Sequence, residues 1–110
     1  MYADTSAIRS LASRLRETAA ALRVDADALG ADASAVQWSG RAADAMRGCA
    51  AGQARGLRTC ADGHEAAASV LDRHASAVDR AEALASAVVR GANGLVHGAA
   101  DGVTHLLDAL

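Results

Sequence analysis

Ile8, Leu15, Leu22, Leu29 and Val36 recur at a strict seven-residue interval, and Ala12, Ala19, Ala26 and Ala33 stand four residues after the first four. Positions i and i+4 share a helical face, so one stripe alternates a large with a small side chain. This predicts a helix over residues 5–37, about 45–50 Å long at the α-helical rise. Asp4, Thr5 or Ser6 can cap its start. A sustained seven-residue period implies left-handed supercoiling against another helix, and the alanines let that neighbour come close. Arg9, Arg16 and Arg23 run parallel to the stripe as a solvated flank.

The pattern breaks at Gln37-Trp38-Ser39-Gly40-Arg41. Gly40 permits backbone angles closed to other residues, and Ser39 suits the N-cap of a second helix. Helical periodicity resumes at once, and so short a link (38–40) forces two long helices antiparallel. The second helix is expected over residues 41–90. Its seam is read through Met46, Ala50, Gln53, Leu57, Cys60, His64, Ala67, Leu71, His74, Val78, Ala81, Ala85 and Val88, an imperfect line because Gln53, His64 and His74 are polar. Gly48, Gly52, Gly56 and Gly63 lie beside that line, either as a closely approached packing face or as tolerated surface residues. Gly91, Asn93 and Gly94 are helix-stop residues. A tail over 91–110 is therefore expected, with a short third amphipathic helix through Leu95, Ala99, Val103, Leu106, Leu107 and Leu110.

Composition supports this all-α reading. Alanine fills 31 of 110 positions and proline is absent, which favours helix throughout. It also makes the core thin. Alanine hides little apolar area and a small domain buries only a modest share of its surface, so one hairpin is expected to complete its core by dimerising. The net charge is −2 and all eleven basic residues are arginine. That offers no basic field for nucleic acid and no strong membrane signal. No apolar stretch approaches the roughly 20 residues that span a bilayer, and the N-terminal residues do not read as a cleaved signal peptide.

Candidate chemistry is sparse. Cys49 and Cys60 would lie about 16 Å apart along one helix, beyond disulfide reach within it, and read as small buried side chains, with an intermolecular or interhelical bridge as the alternative. Cys60 and His64 could supply half a zinc site, but no second close pair completes it, so no metal and no cofactor are expected. The carboxylates lack a concave pocket to tune them, and no phosphate loop, nucleophile elbow or zinc-protease motif occurs. The chain reads as non-enzymatic.

Hairpin length, chain size and the central Trp38-Ser39-Gly40 turn together resemble the WXG family, the Esx-type small proteins of type VII (ESX) secretion systems. The resemblance covers residues 5–90. The Ala-rich, Lys-free composition also suits the GC-rich actinobacterial genomes where that family abounds. It implies a four-helix bundle of two hairpins, a homodimer or a heterodimer with another WXG-like protein, joined through Ile8, Leu15, Leu22, Leu29, Val36, Leu57 and Leu71. It further implies a secreted or cell-surface protein that is cytoplasmic before export, has no cleaved leader and engages the type VII secretion ATPase. The export signal of the family pairs the W-x-G turn, here Trp38 and Gly40, with a Tyr-x-x-x-Asp/Glu element. At the matching distance stands Val78-Asp79-Arg80-Ala81-Glu82, where Glu82 supplies the acid and Val78 replaces the tyrosine. The one tyrosine, Tyr2, lies at the other end. Either a partner supplies the tyrosine element, or the chain is a cytoplasmic helical adaptor that binds a partner and is not secreted.

Overall fold

A computed structural model describes residues 4–110; Tyr2 lies outside the described residues. Two helices account for almost all of it, α1 over Thr5–Ala35 and α2 over Arg41–Asp108. The described chain divides into two compact units, Asp4–Ala75 and Ser76–Leu110.

The first unit is an antiparallel hairpin. Asp4 is the N-cap of α1: its carboxylate accepts from the Ala7 N–H at 3.3 Å and from the Ser6 hydroxyl at 2.6 Å. The Ser6 bond first, then the Ala7 bond, hold the Asp4 carboxyl below its usual range. Gly40 is the residue that turns the chain, with φ at +105°, and its carbonyl accepts the first α2 bond from the Asp44 N–H at 3.0 Å. The N-cap position therefore falls on Gly40, not on Ser39 as the sequence suggested.

Ala12, Ala19, Ala26 and Ala33 of α1 and Ala43, Ala50, Ala54, Ala61, Ala68 and Ala75 of α2 are the buried residues. Ion pairs between the helices, Arg16 with Asp72 and Arg23 with Glu65, fix the register. In that register Ala12, Ala19, Ala26 and Ala33 run opposite Ala75, Ala68, Ala61 and Ala54. Among the described residues no larger side chain is fully buried. Seven-residue spacing on both helices with only a methyl at each contact brings the axes to the near end of the usual 8–10 Å range.

This corrects the expected α2 seam. The contact line runs through Ala54, Ala61, Ala68 and Ala75, each one residue beyond Gln53, Cys60, Ala67 and His74, which are exposed. Alanine occurs on every face of this helix, so apolarity alone left the phase open. Cys49 and Cys60 are exposed free thiols, not buried packing residues, for the same reason. The glycines beside the seam are surface residues. A Cβ built on Gly48, Gly56 or Gly63 meets nothing within 4 Å, and on Gly52 only the tip of Arg55 at 3.7 Å.

The expected stop at Gly91, Asn93 and Gly94 does not occur: α2 continues to Asp108 with no separate third helix. A glycine ends a helix by entering the left-handed region, and Gly40 is the one described glycine with positive φ. Elsewhere each glycine costs about 1 kcal/mol relative to alanine, within a Pro-free, Ala-rich sequence that favours helix. In the second unit, residues 87–110 are exposed throughout.

Candidate functional site

Two features of the hairpin can meet another molecule: the turn and the face beside the alanine seam. The turn is built by the end of α1. Its last carbonyls lack helical donors, and α1 carries no basic residue in its last turn. Arg47 of α2 fills that need. Its guanidinium donates to the carbonyl oxygens of Trp38 at 2.6 Å, Val36 at 2.8 Å and Ala33 at 3.3 Å. Sequence reasoning missed Arg47, although one signal was there: it stands seven residues before Ala54, in phase with the seam. A charge at that position must snorkel out to polar groups, and the nearest are those of the helix end. With the backbone so held, Trp38 keeps half of its surface in solvent (50%).

Charge is segregated across the hairpin. On one side of the seam Arg16 pairs with Asp72 at 2.6 Å, Arg23 with Asp62 at 2.7 Å and Glu65 at 2.8 Å, and Arg58 with Asp27 at 2.8 Å. Arg16 and Arg23 of the arginine flank thus belong to a cross-hairpin ladder. The Arg23 hydrogen bond, then its charge, pulls the Glu65 carboxyl below its usual range, and the same bonds raise Arg23. On the other side Ile8, Leu15, Leu22 and Leu29 of α1 and Leu57 and Leu71 of α2 are only half-buried, and Val36 is exposed. Next to them on α2, three or four residues along, come Gln53, Cys60, Ala67 and His74, with no carboxylate, lysine or arginine among them. The apolar ridge therefore borders the alanine seam and has its outer side open.

Near the turn the ridge widens into a groove of about 420 Å³ floored by Leu29, Ala33, Val36, Met46 and Ala50, with Asp32 at its rim. Val78 and Glu82, the other sequence-derived signal positions, are both half-buried and lie in the second unit. Cys60 and His64 do meet: the His64 Nδ1 donates to the Cys60 carbonyl oxygen at 2.8 Å and lies 3.7 Å from its sulfur. No group of three or more potential ligands among the described residues could hold a metal ion. No helix among them is long and apolar enough to cross a membrane.

The described residues thus form an all-helical chain whose hairpin has a cross-helix charge ladder, an alanine seam, an open leucine ridge and a half-exposed tryptophan at its turn. A family model described as "Putative T7SS secretion signal domain" matches residues 1–105, and the chain belongs to that family. It is thereby associated with type VII secretion. No curated protein and no solved structure matches the chain.

Proposed function

We propose that the chain is an Esx-like, non-enzymatic substrate or adaptor of a type VII (ESX) system that works as a dimer. Its leucine ridge packs on a second WXG-like hairpin, a second copy or a related chain, to make a four-helix bundle. Trp38 and Gly40 form the docking element read by the secretion ATPase, and Glu82 contributes the acidic part of the signal. Export then proceeds from the cytoplasm.

The observation that carries this reading is the half-open ridge of Ile8, Leu15, Leu22 and Leu29 beside a seam made only of alanine. The half-exposed indole supports docking, because it offers a broad apolar face and one N–H donor.

Fractionation of culture filtrate from a strain carrying a type VII system tests it. Export is expected for the native chain and loss of export for Trp38→Ala, with helical content unchanged. Val78, standing where the family's signal has tyrosine, favours a second reading, a cytoplasmic adaptor. Under that reading Trp38→Ala leaves location unaltered and the protein stays in the cell even with its partner co-expressed.

A further inference from the structure

From Gly40 to Leu110, steps of three and four residues meet a small or apolar residue at every position except Arg47, His64 and Glu82. The first half of this repeat is the alanine seam that α1 covers. From Ala85 onward it continues inside the helical second unit as Ala85, Val89, Ala92, Val96, Ala99, Val103 and Leu106, and there it is uncovered: Val96 is 66% and Leu106 70% exposed. The same heptad thus has an established helix–helix interface at one end and bare apolar surface at the other.

We propose that residues 85–106 form a second interface, an antiparallel helix pair with the same segment of a second copy of this chain. Three observations select that occupant. The repeat is continuous in phase with a seam that already packs against a helix. Its bordering positions hold no ionisable side chain, while Arg90, His97, Asp101 and His105 fall elsewhere on the helix, so no charge code selects a different partner and none opposes self-pairing. That polar face carries one arginine and no lysine, unlike the basic face of a membrane-surface helix.

The order of residues sets the register. Valines and alanines alternate strictly, so a parallel pair would stack valine on valine and alanine on alanine, leaving alternate layers crowded and empty. An antiparallel pair centred on Gly94 of each copy sets Ala85 against Val103, Val89 against Ala99 and Ala92 against Val96, a large residue over a small one in each of these layers, and Leu106 falls opposite Glu82 at the end of the pair. Such a two-fold contact is self-complementary and closes at two copies.

The test uses the full chain with Cys49→Ser and Cys60→Ser. Mixed Val89→Cys and Ala99→Cys chains are expected to form a disulfide-linked pair on mild oxidation, because facing Cβ atoms at such layers come within bridging distance. Val89→Cys alone is expected to stay unlinked. Linking of Val89→Cys to itself, or no linking in the mixture, overturns the proposal. Light scattering gives the second readout. In a Leu22→Glu chain, whose ridge contact is removed, the mass remains that of two copies and is halved by adding Val96→Glu and Val103→Glu. A Leu22→Glu chain that is already monomeric, or a mass the added glutamates leave unchanged, also overturns it. So does binding of the Leu22→Glu chain to phosphatidylglycerol vesicles that the two glutamates abolish, because that assigns the stripe to a lipid surface. Failure of the ridge dimer, seen as Leu22→Glu changing nothing in the native assembly, leaves the disulfide result intact, so the two readings fail separately.

Discussion

Gly40 and Arg47 hold the turn by opposite means, one through freedom of the backbone and one through a fixed fork of donors. At φ +105° a Cβ is strained whatever the space around it, so Gly40→Ala is expected to destabilise the hairpin by about 1–2 kcal/mol. The shift of the urea midpoint at unchanged slope measures it. Arg47→Ala strips donors from three carbonyls that water can then reach, so the loss is that of the bonds alone, about 1–2 kcal/mol. Arg47→Lys should recover only part, since an ammonium cannot present the planar fork. Trp38 is the one tryptophan, so its emission reports the turn directly. A red shift and broadening are expected in Arg47→Ala; an unchanged spectrum together with an unchanged urea midpoint would show that the clamp does not hold the turn.

Between the two helices the ion-pair ladder makes a pH statement. The Glu65 carboxyl is depressed by its hydrogen bond to Arg23, then by the guanidinium charge. A carboxyl whose folded value is lowered contributes stability above its unfolded value and loses that contribution as pH falls through the folded one. Hairpin stability is therefore expected to be level near neutrality and to decline below about pH 4.5, with a shallower decline in Glu65→Gln. Thermal melts followed by circular dichroism from pH 7 to pH 3 check both slopes. Both elements are legible in the strict spacing of Ile8 to Val36 and in Gly40, because period and turn chemistry are local properties. The phase of the α2 seam is not, because alanines at 50, 51, 54, 61, 66, 67 and 68 offer more than one apolar line along the helix. Nor is the continuation past Gly91, since a glycine terminates a helix only where the chain has a reason to turn. The role of Arg47 is hidden in the sequence because it depends on the end of α1, which only the folded hairpin brings alongside.

In the molecule as a whole, the seam and the ridge answer to different tests. The seam tolerates nothing larger than a methyl: Ala26→Leu inserts three carbons between axes already close, and is expected to cost more than the roughly 1–3 kcal/mol typical of overpacking because the contact repeats along both helices. The ridge tolerates truncation better, since Leu22 is only half-buried within the chain. Leu22→Ala should leave the isolated hairpin folded and weaken partner binding. The alanine contacts themselves contribute little, about 0.8 kcal/mol per methyl or methylene removed from water. A hairpin held this way gains much of its stability from the partner that covers the ridge, and that gain obeys mass action. The melting temperature is accordingly expected to rise with protein concentration over a hundredfold range, or on adding the partner hairpin, and to lose that dependence in Leu22→Glu with Val96→Glu and Val103→Glu. A sharp melt at one temperature, independent of concentration and of any added hairpin, would mean that the alanine seam suffices and that the open leucines serve no partner.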